Sequence, residues 1–337
     1  MCGITGAISF DSRPLNVNRM KSMVDVIAHR GPDDAGYLLW QTGRQHPRGL
    51  SYGMNFTDSE FKTICPLLPV IDSPSGNEKL LSDKWNLFFG HRRLSILDLS
   101  PRGHQPMSDK SQEIWVTHNG EIYNFREIKT ELEGLGYGFS SKTDTEVIIH
   151  AYHAWGIECI HKFNGMFSFA LYDNRKKIIW LVRDRYGIKP LYYFLSEKNH
   201  LLFASEIKSI LEYLSDNRPQ VDLAALNEYF SFQNVLSGRT LFSDIQLLEP
   251  GHYLEVDLDK AAVSKNQYWD FDFSEELIAP QEELEEQLYH LLTQAVRRQC
   301  VSDVPIGSYL SGGLDSGSIT AITSSVFGRI STFTGGF

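Results

Sequence analysis

Apolar residues recur at helical spacing between Leu15 and Ile27, where Met20, Met23, Val24 and Ile27 fall on one face. The following His29-Arg30-Gly31-Pro32-Asp33 stretch carries the Gly-Pro signal that ends such a run. A second helix is predicted after Thr143: Val147, Ile148, Ala151 and Trp155 share a face, and Thr143 or Asp144 can cap its start. Met166 to Tyr172 and Lys177 to Arg183, joined by Asp173-Asn174-Arg175, read as a β-hairpin. Further strands are predicted near Leu191 to Phe194 and Leu201 to Ala204. Strands outnumber helices here, an α+β pattern of antiparallel sheets covered by helices. The stretch from Gly43 to Lys84 is polar and punctuated by Pro, Gly and Ser, and reads as a surface excursion.

The pattern changes after Gln281. Leu284, Leu288, Leu291, Leu292 and Ala295 mark a helix with glutamates early and Arg297 and Arg298 late, as its macrodipole favours. Val304 to Leu310 then reads as a strand, Ser311-Gly312-Gly313-Leu314-Asp315-Ser316 as a turn, Ile319 onward as a helix, and Ser331 to Thr334 as a second strand. The first strand, turn and helix are half of a βαβ unit, and with the second strand a doubly wound α/β domain is begun and not finished. The expected organisation is residues 2–218 as a first domain, 219–280 as closing strands and connector, and 281–337 as part of a second. A length of 337 residues agrees with two cores at roughly 150 residues per domain.

Composition, with 42% hydrophobic and 22% charged residues, is that of a globular chain. A net charge of −10 without a basic patch argues against nucleic acid and anionic lipid as partners. The apolar runs fall far short of the about 20 residues that span a bilayer, and MCGITGAISF lacks the layout of a signal peptide. The expectation is a cytoplasmic protein, with which four scattered cysteines without CxxC spacing agree.

Cys2 differs from the other three by position. Removal of Met1, which a small second residue favours, leaves a thiol beside a free α-amine. A thiol with pKa near 8.5 is mostly protonated at neutrality, and an amine of pKa about 7.7 to 8.0 can take its proton. Gly3 and Gly6 leave the backbone free of Cβ atoms where a substrate could approach. His150, His153, Cys159 and His161 cluster in sequence as a metal site would, but His150 and His153 fall off the apolar stripe of their helix and read as solvated surface side chains.

Met1-Cys2-Gly3-Ile4 resembles the start of class II glutamine amidotransferases, whose nucleophile is the N-terminal residue. The same family is matched, in order, by His29-Arg30-Gly31-Pro32-Asp33, Arg93-Leu94-Ser95-Ile96, Asn119-Gly120-Glu121-Ile122-Tyr123-Asn124 and Thr143-Asp144-Thr145-Glu146. Arg183-Asp184, Gly187-Ile188-Lys189-Pro190-Leu191-Tyr192 and Ala204-Ser205-Glu206-Ile207-Lys208 continue the match. The resemblance implies an N-terminal-nucleophile αββα sandwich in which Cys2 attacks the side-chain amide of glutamine. The Asn119 side chain and the Gly120 amide would form the oxyanion hole, Arg93 would clamp the α-carboxylate, and Glu121 with Asp144 would receive the α-ammonium. Arg30 and Asp33 would organise the loop. Taken singly, these residues also fit a surface ion pair (Arg93), a turn (Asn119-Gly120) and a helix cap (Asp144).

SGGLDS at Ser311 to Ser316 is not a Walker A loop, and resembles the pyrophosphate loop of ATP pyrophosphatases. In the asparagine synthetase type of amidotransferase this implies that Ser311, Gly312, Gly313, Asp315 and Ser316 surround the pyrophosphate of ATP, with Asp315 near Mg²⁺ and the backbone at Leu310 and Gly335 near adenine. Aspartate would be adenylylated, and ammonia from the first site would convert it to asparagine. The family's acceptor pocket, second acidic metal motif and catalytic lysine lie beyond these residues, so the expectation for this chain alone is glutaminase activity without asparagine formation. Amidation of another carboxylate, or a glutaminase-only or pseudoenzyme form, are the alternatives; a homodimer is compatible with the resemblance.

Overall fold

A computed structural model describes residues 1–11, 13–42, 84–196, 200–274 and 276–336. The stretch read as a surface excursion, apart from Lys84, lies outside these residues, as does Cys65. Two compact units are formed, Met1–Asp270 and Phe271–Phe337.

The first unit is built on β1 (Gly3–Ser9), β2 (Asp34–Trp40), β3 (Leu87–Arg93), β4 (Met107–Ser108), β5 (Ile114–Ile122), β6 (Gly165–Asp173), β7 (Ile178–Arg183), β8 (Tyr192–Leu195), β9 (His200–Ala204), β10 (Ile245–Leu247), β11 (His252–Asp257) and β12 (Ala262–Gln267). They make two six-stranded sheets, in the orders β10-β8-β9-β1-β3-β2 and β12-β11-β7-β6-β5-β4. Every neighbouring pair in them is antiparallel. Side chains alternate between the two faces of each strand. Ile4 and Ile8, Leu38 and Trp40, and Leu87 and Phe89 of the first sheet therefore meet Trp115, Ala170, Tyr172 and Leu181 of the second in one core.

The opposite face of the first sheet, with Ala7, Ala35, Tyr37, Leu39 and Phe88, takes α1 (Val17–Asp25) through Met20, Met23 and Val24, and α4 (Ile207–Tyr213) through Ile210 and Tyr213. The second sheet carries α3 (Asp144–Trp155) against β5, and α2 (Phe125–Gly134) packs on α3. With both faces covered, β1, β2, β3 and β6 are buried along most of their length, and the layers are those of an αββα sandwich. The hairpin expected around Asp173 forms as β6 and β7, and α3 starts where Thr143 caps it, its hydroxyl accepting from the Glu146 amide.

The segment 219–280 divides. α5 (Leu223–Phe232) and β10 to β12 belong to the first unit, β10 joining the first sheet and β11 and β12 the second, whereas residues from Phe271 on belong to the other unit. That unit holds α6 (Gln281–Gln299), β13 (Gly307–Tyr309), α7 (Leu314–Phe327) and β14 (Ser331–Phe333), with β13 and β14 parallel. β13 is shorter than the Val304 to Leu310 run, and α7 begins five residues before Ile319. Gly317 weakens the helical pattern at that point, but Gly313 is already extended at the N-cap and the Ser316 hydroxyl donates to its carbonyl at 3.2 Å, so the helix starts at once.

Candidate active site

The inner faces of β3 and β5 are apolar at one end and polar at the other. Leu87 and Phe89 give way to His91 and Arg93, and Trp115 gives way to Thr117, Asn119 and Glu121. One end of the sandwich is thereby lined with polar groups. His91 Nδ1 and Thr117 Oγ1 meet there at 3.0 Å, and buried His104 and Asp34 at 2.6 Å. Burial, with Arg93 nearby, pushes His91 well below its ordinary pKa.

Antiparallel pairing of β1 with β3 sets Gly3 opposite Arg92, which brings Cys2 to this same end. Its Sγ accepts from the Leu94 amide at 3.4 Å and lies 3.6 Å from the Leu94 carbonyl, to which the thiol can donate. Burial raises the thiol pKa, while the Leu94 amide, the N-terminal amine and Arg93 pull it down. Arg30 Nε donates to the Cys2 carbonyl at 2.9 Å and Arg30 Nη1 to Glu206 at 3.0 Å. Glu206 also receives His29 and Lys208. Burial would raise its carboxyl, but hydrogen bonds from Arg30, Lys208 and His29 hold it at about 2. Asp33 accepts from the Ser95 amide at 2.7 Å. Four separated sequence motifs thus meet around one cysteine.

A cavity of about 110 Å³ lies there, walled by Cys2, Arg93, Asn119, Gly120, Glu121 and Asp144, all six residues expected of the site, together with Met1, His118 and Lys189. Asn119 is fully buried, yet among the described residues neither its Oδ1 nor its Nδ2 has a hydrogen-bond partner. A buried amide so placed is destabilising unless something enters the cavity to pair with it. Gly120 has φ +152°, and a Cβ there would sit 2.1 Å from the Met166 carbonyl oxygen, so only glycine fits. Arg93 donates to the carbonyls of Leu97 (3.0 Å), Asp98 (2.6 Å) and Ser100 (3.2 Å), which lock its guanidinium in the cavity wall. Gly103 leaves room for it, since a Cβ there would meet Arg93 Nη2 at 1.8 Å.

Asp144, in the first turn of α3, accepts from the Ile122 amide at 2.8 Å. Burial, and then Asp144, push the neighbouring Glu121 carboxyl up to about 7, with Lys189 acting in the opposite sense. A carboxyl raised in the fold destabilises it as pH climbs from the unfolded value of about 4.5 towards 7, and not below. Glu121→Gln is therefore expected to stabilise the free protein at pH 8, by at most about 3 kcal/mol, and to make little difference at pH 4.5. Denaturant melts at the two pH values check this; equal effects at both would contradict it.

Several expectations change. A Cβ on Gly6 would meet the Phe203 ring at 2.2 Å, so this glycine admits core packing rather than substrate. His150 and His153 are half-buried and paired rather than freely solvated. His150 lies 3.6 Å from Glu146 and packs on the rings of Tyr137 and Phe139, and His153 lies 3.3 Å from Asp109. Among the described residues, no group of three or more His, Cys, Asp or Glu side chains could hold a metal ion. Lys189 and His118 also line the cavity without having been assigned a role. Lys189 lies in the Gly187 to Tyr192 motif, and the fold brings it, buried, into the cavity wall with Cys2.

In the second unit the Ser311 to Ser316 loop is exposed and closed by its own hydroxyls. Ser311 and Ser316 Oγ lie 3.0 Å apart, and the Ser311 amide donates to Ser316 Oγ at 3.2 Å. Gly312 turns the chain at φ +85° and Asp315 sits in the first turn of α7. Leu310 and the strand leading to Gly335 are joined by Leu310 N to Phe333 O (2.9 Å) and Thr334 Oγ1 to Leu310 O (2.6 Å). The residues expected around ATP are thus gathered at the N-terminus of a helix, where backbone amides favour anions.

An αββα sandwich with a cysteine next to the N-terminus and an unpartnered amide facing it is the architecture of the N-terminal-nucleophile class. The chain belongs to the glutamine amidotransferase domain family, whose model matches residues 73–269, and an asparagine synthase model matches residues 287–337. A putative glutamine-hydrolysing asparagine synthetase of Methanocaldococcus jannaschii is 32% identical over 100% of this chain and 60% of its own length. Asparagine synthetase 3 of Bacillus subtilis, also glutamine-hydrolysing, is 32% identical over 97% of this chain and 46% of its own. The chain thus spans about half the length of these curated relatives. The solved glutamine phosphoribosylpyrophosphate amidotransferase of B. subtilis, complexed with ADP and GMP, shares the fold at a TM-score of 0.55 and 16% identity, covering 99% of this chain and 66% of that one. Among the described residues, no helix is long and apolar enough to cross a membrane.

Proposed function

We propose that the first unit hydrolyses glutamine to glutamate and ammonia at Cys2. The observation that carries this reading is the buried, unpartnered Asn119 amide in the wall of the cavity that Cys2 enters. With Met1 removed, the α-amine of Cys2 takes the thiol proton and the thiolate attacks the side-chain amide carbon. Asn119 Nδ2 and the Gly120 amide donate to the oxyanion. Protonation of the leaving nitrogen releases ammonia, and water then hydrolyses the thioester. Arg93 meets the α-carboxylate, and Glu121 with Asp144 the α-ammonium. A substrate ammonium offsets the repulsion between Glu121 and Asp144 in the free site, which favours a free amino acid over a peptide.

The second unit is the proposed start of an ATP-dependent synthetase, in line with relatives named asparagine synthetases. Ser311, Gly312, Gly313 and Ser316 would hold the pyrophosphate of ATP, with the backbone at Leu310 and Gly335 towards adenine. Asp315 would give one carboxylate to a phosphate-bound Mg²⁺, an ion that commonly takes one or two carboxylates and completes its shell with phosphate and water. The whole protein would use the ammonia to convert activated aspartate to asparagine in the cytoplasm, as a monomer or homodimer.

Ammonia release from glutamine is the test. It is expected from the wild-type chain and to fall at least roughly a thousandfold in Cys2→Ala. Equal release by both proteins would overturn the reading.

A further inference from the structure

Lys189 is a buried ammonium that the mechanism above does not use. Its backbone is fixed on both sides: its amide donates to Asp184 Oδ2 at 3.0 Å and its carbonyl accepts from Arg183 Nε at 2.9 Å. The Ser168 hydroxyl holds the next carbonyl, that of Pro190, at 3.3 Å. The side chain is 3% exposed at the level of the residue and lines the cavity, and its Nζ ends 2.9 Å from the Met1 sulfur. A thioether is a weak acceptor that gives an ammonium little in return for lost water. Once Met1 leaves, that contact goes as well, and Lys189 remains in the wall of the cavity that Cys2 also lines.

We infer that Lys189 is a positioning residue that sets the charge state of the N-terminal amine and thiol, keeping the Cys2 amine in its base form and the sulfur readily ionised. The inference rests on the glutaminase reading of the site. The charged groups facing Lys189 come from every neighbouring element. Cys2 and the terminal amine lie at the start of β1, Arg30 after α1, Glu121 and His118 on β5, and Asp184 after β7. On the Met1 amine, whose place the Cys2 amine takes after processing, burial acts first, Arg30 acts in the same sense as Lys189, and Cys2 and Asp33 oppose them. Arg93 on β3 and Asp144 on α3 also face the thiol, in opposite senses. Of the three cations, Arg30 is committed to Glu206 and the Cys2 carbonyl and Arg93 to the carbonyls of Leu97, Asp98 and Ser100, whereas among the described residues the Lys189 ammonium meets the methionine sulfur alone.

The direction follows from charge alone. A cation beside an amine disfavours a second positive charge, so the amine loses its proton at lower pH; beside a thiol it favours the thiolate. Removing it moves both transitions to higher pH. Burial pushes Lys189 itself below its ordinary pKa, with Cys2 and Glu121 opposing.

The experiment compares wild type, Lys189→Met and Lys189→Arg, each with Met1 removal verified by mass and with matching thermal melts. The first readout is the pH profile of kcat/KM for glutamine hydrolysis; the second is the pH dependence of Cys2 alkylation by iodoacetamide. Lys189→Met preserves the length of the side chain and is expected to shift both midpoints upward by about one pH unit, costing roughly tenfold in rate at pH 6.5 and little at pH 9. Lys189→Arg restores the wild-type midpoints. Unchanged midpoints in Lys189→Met, or a loss of rate that is the same at every pH, overturn the inference. If the wild type releases no ammonia, the glutaminase reading fails, and the alkylation profile still decides whether Lys189 tunes the thiol.

Discussion

Asn119→Ala is expected to lower kcat for glutamine hydrolysis by roughly 10²- to 10³-fold, equivalent to about 2.7 to 4 kcal/mol of barrier, while leaving the protein at least as stable as the wild type. The pairing of these outcomes is what distinguishes it. Most buried polar side chains hold hydrogen bonds that truncation breaks, so activity and stability fall together. Both polar atoms of Asn119 lack a partner among the described residues. Removing them relieves an unpaired buried amide, and the small cavity left by the change adjoins one already present. KM should move little, because the donor acts on charge that develops only in the transition state. Steady-state kinetics and a thermal melt measure the two halves. A variant with undiminished kcat would remove Asn119 from the oxyanion hole, and a large drop in stability would show that the side chain holds the fold.

Gly120→Ala should behave in the opposite way. The added methyl would lie 2.1 Å from the Met166 carbonyl oxygen and 2.6 Å from Phe167 Cα, backbone atoms of β6 that cannot step aside singly. The residue would also have to adopt φ +152°. β5 and β6 must separate locally, at a cost of at least about 3 kcal/mol, which corresponds to a fall in melting temperature of roughly 10 °C for a unit of this size. Glutaminase activity should be lost as well, since the Gly120 amide moves with the strand. A Gly120→Ala protein that melts with the wild type would show that the pair can open without penalty.

The two residues also show what was legible in the sequence. Asn119, Gly120 and Glu121 are neighbours in one motif, so their chemistry could be read together. Arg93 and Asp144 were legible as single residues in their own motifs, but not the reason they are rigid: three carbonyls of the 97–100 loop hold Arg93, and Gly103 makes space for it. Among the helices, α1 and α3 announce themselves by a buried stripe. α2 carries a readable one in Phe125, Ile128 and Leu132, whereas α5 leaves Leu223, Phe230 and Phe232 exposed, so burial periodicity is a poor guide to it. Lys189 was hidden for a different reason. Its importance depends on a distance across 188 residues of chain, and no local pattern encodes that. Falling off an apolar stripe does not by itself mean full solvation: His150 and His153 are half-buried because Glu146 and Asp109 give them polar partners.

β1 is hydrogen-bonded to β3 and β9 along its length, and pairing with β3 begins at Gly3, so the polypeptide does not fray before reaching Cys2. Anything attached ahead of Cys2 starts in the wall of the cavity, where Met1 already sits. The placement of a purification handle therefore becomes a chemical choice. A tag fused in front of Cys2 would fill the substrate space and replace the amine by an amide that cannot accept a proton, yielding a folded, pure and inert protein.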